Sequence, residues 1–198
     1  MEKFRGKYRI PPARLQTWDY GSNALYFITI CTKNRKHFFG EIVNGQMMLS
    51  EIGRLAEKYW HEIPEHFPFV ILDEFVVMPN HIHGIIEIAK TNGSTETNDA
   101  VNNVETQNFA SLQPPPPPPP PDSFHKNKFG PQSENLASIV RGYKIGVTTN
   151  ARKIQADFAW QPRFHDHIIR NSQAYQNIKN YIANNPQKWA DDTFNVTI

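Results

Sequence analysis

The sequence predicts an α+β fold in which one antiparallel sheet packs against helices. Four short segments are rich in β-branched and aromatic residues, which is typical of strands. Three longer segments carry apolar residues at helical spacing. These segments interleave along the 198 residues, and 39% of the residues are hydrophobic, which is enough for one core. We therefore expect a single domain over residues 1–198.

The predicted strands occupy both halves of the chain. They cover residues 25–32, 69–78, 81–88 and 164–169. Asp73-Glu74 interrupts the second strand, and Pro79-Asn80 predicts a turn after which the third strand pairs back on the second. Asn44-Gly45 stands between short apolar runs and predicts an additional hairpin.

Three helices are predicted, each behind a residue that can cap its first turn. Ser50 precedes the apolar stripe Ile52, Leu55, Ala56, Tyr59 and Ile63. Ser133 precedes the stripe Leu136, Ile139, Val140, Tyr143 and Val147. Asn171 precedes the stripe Ala174, Ile178, Tyr181, Ile182 and Asn185. Pro186 ends the last helix because the residue before a proline disfavours α geometry.

Residues 91–133 depart from this pattern. The segment is polar and contains eight consecutive prolines, at positions 114–121, which favour an extended polyproline helix. We expect a disordered insertion that acts as a spacer. The alternative is a proline-recognising partner that binds residues 114–121.

Basic residues predominate outside this insertion, where the chain has 19 basic and 15 acidic residues. The amino-terminal arm is the most basic part, with Lys3, Arg5, Lys7, Arg9 and Arg14. Such an arm is a common phosphate-binding device, although a solvated tail has the same composition.

Nothing in the sequence suggests a membrane or an oxidising compartment. No apolar run approaches the roughly 18 residues of a membrane span, and the residues after Met1 do not resemble a signal peptide. Cys31 is the only cysteine and has no partner for an internal disulfide. We expect a cytoplasmic protein, and the sequence leaves a homodimer open.

The third predicted strand carries a His-x-His pair. Side chains alternate across a strand, so His81, His83, Ile85 and Glu87 share one face. The other face is apolar, with Ile82, Ile86 and Ile88. Two such imidazoles can bind one divalent cation, and as ligands we expect them outside the core. Two surface or hydrogen-bonded histidines would give the same pattern.

The last predicted helix places Tyr181 and Asn185 on one face, four residues apart. A phenol can attack phosphorus beside an amide oxygen that binds a metal. On periodicity alone, a core tyrosine explains Tyr181 better.

Four segments in the same order resemble the HUH-type single-tyrosine transposases, and most of all their REP-associated branch. The first contains Met78-Pro79-Asn80-His81-Ile82-His83. The four segments are residues 76–86, 138–144, 164–170 and 178–189, and residues 9–11 and 25–29 also fit. The resemblance covers nearly everything outside residues 91–133.

This resemblance implies a ferredoxin-like fold with the histidines on a central strand and the nucleophile on the carboxy-terminal helix. It implies that His81, His83 and Asn185 bind Mg²⁺ or Mn²⁺. Tyr181 would attack single-stranded DNA and leave a 5′-phosphotyrosine and a free 3′-hydroxyl. Asparagine at position 185 matches the REP-associated branch, which implies recognition of palindromic DNA hairpins. The expected DNA contacts are Lys3, Arg5, Lys7, Arg9, Arg14, Arg141 and Lys144.

Tyr143 is the rival nucleophile. It lies in an apolar stripe, and the residue four positions later is Val147, which cannot bind a metal. His165 and His167 form a second His-x-His pair. We expect buried or hydrogen-bonded structural histidines, and the alternatives are contact with DNA or support of the site.

Two other functions stay open. A non-catalytic nucleic-acid-binding module of ferredoxin-like fold would show paired aromatic residues on its central strands, where this chain has histidines. A metal-dependent hydrolase would use water, would need no tyrosine and would usually have a carboxylate ligand. Glu87 is the one carboxylate on the histidine side of its strand.

Overall fold

The structure is a computed structural model that describes residues 14–15, 17–91 and 133–195, together with the backbone of two short strands in the amino-terminal arm. The strands are β1 (Lys3–Phe4), β2 (Lys7–Tyr8), β3 (Ala24–Cys31), β4 (Gly40–Val43), β5 (Gln46–Leu49), β6 (Val70–Met78), β7 (His81–Ile88) and β8 (His165–Ile169). The helices are α1 (Glu51–His61), α2 (Ile63–His66), α3 (Leu136–Ile154) and α4 (Ser172–Asn184), with 3-10 helices at Lys33–Arg35 and Pro186–Asp191.

Four antiparallel strands form the main sheet in the order β6-β7-β3-β8. Along the chain the main elements follow the order β3-α1-β6-β7-α3-β8. This is the β-α-β-β-α-β arrangement of a ferredoxin-like fold. β7 carries both His81 and His83 and lies between β6 and β3. The predicted fold class and the central position of the histidine strand are confirmed.

Turn and cap residues act as predicted at most element ends. Asn44-Gly45 forms the turn between β4 and β5, and both residues have positive φ, 52° and 75°. Ser50 accepts a hydrogen bond from the Gly53 amide at the start of α1. Asn171 accepts one from the Ala174 amide at the start of α4.

The cap of α3 differs from the prediction. Ser133 lies before the helix, and Asn135 is the N-cap. The Asn135 side chain accepts from the Ser138 amide, and the Ser138 hydroxyl accepts from the Asn135 amide. This reciprocal capping box satisfies two amides at once, which a lone serine two residues earlier cannot do.

One face of the sheet, here called the apolar face, packs against α1 and α3. Its core includes Ile82 and Ile86 from β7, with Trp60 from α1 and Tyr143 from α3. Trp60 is fully buried and lies directly over Gly84, where an added methyl group would overlap with the indole. The missing side chain at position 84 therefore makes room for the largest residue of this core.

The opposite face, here called the histidine face, carries His81, His83, Ile85 and Glu87 of β7. α4 packs on it through Tyr175 and Ile182. The register of β6 shifts between Leu72 and Phe75, which confirms the predicted interruption of this strand.

Asp73 lies in this bulge and anchors α4. Its carboxylate accepts hydrogen bonds from the Tyr175 hydroxyl and, at 3.0 Å, from Lys179 Nζ. Burial would raise the pKa of Asp73, but these hydrogen bonds outweigh it and hold that pKa below its usual range. The helix that carries Tyr181 is thus tied to the edge strand of the sheet.

The predicted insertion lies almost entirely outside the described residues, which stop at residue 91 and resume at residue 133. Within the described parts of the chain, no helix has both the length and the apolar character that crossing a membrane requires.

Candidate active site

The two histidines of β7 are buried at one end of the histidine face. His81 has no exposed surface, and His83 is 1% exposed. Tyr181 of α4 contacts the His83 ring, and Trp189 and Phe194 of the following segment contact the His81 ring. The expectation that these ligands would lie outside the core is therefore wrong, because the carboxy-terminal segment covers them.

Asn80 determines which ring nitrogen of His81 carries the proton. The Asn80 side-chain nitrogen donates to the carbonyl groups of Arg35 and Phe194, so its oxygen faces His81. That oxygen accepts from His81 Nδ1 at 2.8 Å. His81 therefore carries its proton on Nδ1, which leaves the lone pair of Nε2 facing His83.

The His83 ring directs its Nε2 atom toward Nε2 of His81. His83 Nε2 lies 3.0 Å from His81 Nε2. On its other side, His83 Nδ1 lies 2.9 Å from the Thr29 hydroxyl, which holds the ring from the neighbouring strand. Hydrogen bonds to the outer nitrogen of an imidazole orient it as a metal ligand.

Burial keeps both imidazoles neutral. It lowers the pKa of His81 well below its usual range, and the nearby His83 and Arg35 lower it further. It lowers the pKa of His83 to about 3, with a smaller contribution from His165. Neutral imidazole is the metal-binding form, so both rings are ready to bind a cation at neutral pH.

Tyr181 brings a phenol to the same point. Its hydroxyl lies 3.1 Å from His83 Nε2, and its ring packs edge-on against Phe27. The side chain is 43% exposed, so a substrate can approach it from solvent. Burial raises the pKa of Tyr181 and the charge of Asp192 raises it further, while a hydrogen bond with Asn185 lowers it.

Asn185 contributes an oxygen that lacks a partner. The side chain is 2% exposed, and no group among the described residues donates to its Oδ1. An unsatisfied buried oxygen of this kind costs about 1–3 kcal/mol. Asn185 follows the last residue of α4 but keeps helical angles, so it projects on the side of Tyr181 as its spacing predicts.

Asp192 is the site residue that the sequence did not reveal. Its carboxylate and the ring nitrogens of His81 and His83 all lie within 4.8 Å of one another. Asp192 follows the 3-10 helix Pro186–Asp191, which carries the chain back toward β7. The sequence signal that points toward it is Pro186, which ends α4 and allows the chain to turn.

These side chains fit a divalent cation. Two imidazole nitrogens, a carboxylate and an amide oxygen are ligand types that Mn²⁺ and related ions accept. Adjacent ligands of an octahedral ion with bonds of about 2.1 Å lie about 3 Å apart, which matches the separation of the two Nε2 atoms. Asn185 Oδ1 is a buried acceptor without a partner among the described residues, on a side chain that hydrogen-bonds with Tyr181.

Sequence comparison places the chain among known proteins. No family model matches it. An uncharacterized protein of Haemophilus influenzae is 41% identical over 180 residues, which cover 90% of this chain and 89% of that protein. The chain belongs to the same family as this Haemophilus protein.

Comparison with solved structures shows the fold through one match. A REP-associated tyrosine transposase bound to a REP hairpin matches with a TM-score of 0.51 and 17% identity, over 96% of this chain and 74% of that one. The chain has the fold of a REP-associated tyrosine transposase. A proposed transposase from Deinococcus radiodurans R1 matches with a TM-score of 0.42 and 14% identity, over 93% of this chain and 97% of the other.

In this transposase fold, Tyr143 is remote from the histidine pair. It packs on the apolar face, on the far side of the sheet, and is 4% exposed. Its hydroxyl donates to the Ala56 carbonyl at 3.0 Å, and burial raises its pKa well above the usual range. The geometry favours Tyr181 over Tyr143 as the candidate nucleophile.

Three of the basic residues expected to bind DNA have described side chains, and all three lie around Phe164. Arg141 and Lys144 line a pocket with Phe164, and the Arg14 guanidinium lies 4.4 Å from the centre of its ring. Arg14 donates to Asp166 at 2.9 Å. Lys144 donates to two carbonyl groups of the loop before β8, and burial lowers its pKa to about 8. Arg141 is exposed on α3, which packs against the apolar face. The side chains of Lys3, Arg5, Lys7 and Arg9 lie outside the described residues.

The second His-x-His pair is not where we expected it. His165 and His167 are both exposed on β8, and neither ring has a hydrogen-bond partner among the described residues. The prediction of buried or hydrogen-bonded histidines is wrong, because β8 is an edge strand and α4 leaves this part of it uncovered.

Proposed function

We propose that the protein is a metal-dependent, transposase-type transesterase that nicks and joins single-stranded DNA through a 5′-phosphotyrosine. The observation that carries this proposal is the 3.1 Å approach of the Tyr181 hydroxyl to His83 Nε2. A phenol and a set of metal-ligand atoms meet at this point. Phosphoryl transfer needs both a positioned nucleophile and stabilisation of negative charge at phosphorus.

His81, His83 and Asn185 are the proposed metal ligands, and Asp192 is a further one. When bound, Mg²⁺ or Mn²⁺ would polarise a phosphate oxygen. Asn80 and Thr29 support the two imidazoles through their outer nitrogens.

Tyr181 is the proposed nucleophile. Its oxygen forms a bond to phosphorus as the bond from phosphorus to the 3′-oxygen of the strand breaks. The phenol proton goes to the leaving 3′-oxygen, which becomes a free 3′-hydroxyl, while the 5′-phosphate stays on the tyrosine. Attack of a 3′-hydroxyl on this phosphotyrosine reverses the step and joins two strands.

Hairpin-forming repeats are the proposed substrate. The support is the shared fold with a transposase bound to a REP hairpin, together with the amide at position 185 that resembles the REP-associated branch. The exposed side of Tyr181 is the proposed approach of the single strand to be cleaved.

Asp192 favours a second candidate, a phosphodiester hydrolase that uses a metal-activated water. Such an enzyme usually has a carboxylate among its ligands, and Asp192 supplies one beside the histidine pair. The two candidates differ in their need for the Tyr181 hydroxyl, which only the transesterase uses as a nucleophile.

The deciding experiment incubates the protein with Mn²⁺ and a labelled single strand that contains a hairpin, and separates the products on a denaturing gel. Wild-type protein should form a covalent protein–DNA adduct, and Tyr181→Phe should form none. Because the exchange removes one oxygen, it should cost roughly 1 kcal/mol of stability or less. Cleavage by Tyr181→Phe at the wild-type rate, with no adduct from either protein, would instead establish the hydrolase.

A further inference from the structure

Part of the histidine face beside Tyr181 stays open. Neighbouring strands place paired residues side by side on one face, so the pairs His83–Thr29 and Thr29–His165 form a row across the sheet. The pairs Ile85–Phe27 and Phe27–His167 form the next row. The two rows end in the exposed rings of His165 and His167.

We propose that Phe27, His165 and His167 form a stacking platform for bases of single-stranded DNA next to the strand position that reaches Tyr181. The assignment rests on the proposed function for its choice of DNA. The three residues are called the β8 platform below.

Flat rings and exposure support the β8 platform. Phe27 is half-buried, stacks on the His83 ring at 5.3 Å and contacts the Tyr181 ring edge-on at 6.2 Å. It therefore links the histidine pair and the nucleophile to the two imidazoles of β8. Single-stranded nucleic acids bind to sheets whose aromatic side chains, including histidine, stack on unpaired bases.

The distance from the candidate nucleophile also fits a neighbouring nucleotide. Directly opposed residues in antiparallel strands have Cβ atoms about 5 Å apart. His165 is two such steps from His83, so the β8 histidines of the platform lie roughly 10 Å or more from His83. A strand whose phosphate lies at Tyr181 would place its next bases over β8, because α4 covers the other side, toward β6.

The test measures binding of fluorescently labelled oligothymidylate by anisotropy, in EDTA so that no metal-dependent reaction occurs. The double substitution His165→Ala and His167→Ala should weaken binding about tenfold. His165→Phe with His167→Phe should bind as well as wild type, because a flat ring is kept. His66→Ala, an exposed histidine of α2, is the matched control and should leave binding unchanged. A duplex of the same length should show no difference between the proteins, since its bases are already stacked.

Two results would overturn the platform. One is a double alanine variant that binds oligothymidylate like wild type. The other is a double phenylalanine variant that binds as weakly as the alanine one, since stacking would then not be the interaction. Neither result depends on covalent chemistry. If wild-type protein binds the strand but forms no adduct in Mn²⁺, the proposed function fails and the platform stands.

Discussion

The two faces of the sheet bury their central residues equally well but fill the space differently. On the apolar face, Ile82 and Ile86 pack against Trp60 and Tyr143 in one continuous hydrocarbon core. On the histidine face, His81 and His83 are just as buried, but each ring has a polar partner, Asn80 for His81 and Thr29 for His83, besides its aromatic contacts. Both sets of side chains come from the same strand, β7, at alternating positions.

The two faces also differ in the buried polar atoms that lack a hydrogen-bond partner, each of which lowers the stability of the fold. Among the described residues, three buried polar side-chain atoms lack a hydrogen-bond partner. They are Trp60 Nε1 on the apolar face, Asn185 Oδ1 at the end of α4, and Arg35 Nη1, whose guanidinium lies over the Phe194 ring. Trp60 Nε1 lies among aromatic rings, including a perpendicular Tyr143. Of the three atoms, only Asn185 Oδ1 is an acceptor, so a cation could bind to it but not to the N–H groups of Trp60 or Arg35.

The largest expected effect comes from removing a proposed metal ligand on the histidine face. His83→Ala should abolish Mn²⁺-dependent cleavage, and calorimetry should detect no Mn²⁺ binding at this site. The protein should still fold but melt at a lower temperature, because a buried ring leaves a cavity. Cleavage at the wild-type rate in Mn²⁺ would exclude the histidine pair as the metal site.

Variants of the two proposed oxygen ligands sharpen this result. Asp192→Asn and Asn185→Ala should each weaken Mn²⁺ binding roughly tenfold or more, by analogy with the loss of groups that support a metal site. Wild-type affinity in Asp192→Asn would mean that the carboxylate lies near the cation without binding it.

The next largest effect should come from the apolar face. Gly84→Ala places a methyl group against the Trp60 indole, and overpacking of this kind costs about 1–3 kcal/mol. Thermal or urea unfolding should show the loss, while the affinity of the remaining folded protein for Mn²⁺ should be unchanged. A changed metal affinity with unchanged stability would mean that the two faces are coupled through β7.

A smaller effect is expected at the second tyrosine. Tyr143→Phe removes the hydrogen bond to the Ala56 carbonyl and should cost about 1 kcal/mol of stability. It should form the DNA adduct as wild type does, in contrast to Tyr181→Phe on the other face. Loss of the adduct in Tyr143→Phe alone would reverse the assignment of the nucleophile.

The smallest effect is expected where neither face is touched. We propose that the insertion is dispensable, so joining Lys90 to Gln132 through a short Gly/Ser linker should leave melting temperature and adduct yield near wild type. A flexible linker of different length changes the loop-closure free energy by only about 0.6 kcal/mol per doubling. Cooperative loss of the whole fold would show that the insertion packs against one of the faces.

The sequence predicted features that depend on residues close together in the chain. Alternation along β7 predicted the two faces, and the four-residue spacing predicted that Tyr181 and Asn185 project together. The prediction put the cap of α3 two residues too early, because Ser133 and Asn135 are both good capping residues. The reciprocal hydrogen bonds with Ser138 favour Asn135. The prediction that His81 and His83 lie outside the core was wrong, because the pattern of a strand does not show which other segment will cover that strand.

By itself, then, the sequence determined the elements, the two faces of β7 and the residue types of the site, because backbone periodicity is local. The tertiary structure decided which of those residues meet. Tyr181 reaches His83 across 98 positions of the chain only because α4 docks on the sheet, where Asp73 holds it. Asp192 joins the histidines because Pro186 ends that helix and the chain turns back. His165 and His167 stay exposed because β8 lies at the edge of the sheet, beyond the reach of the same helix.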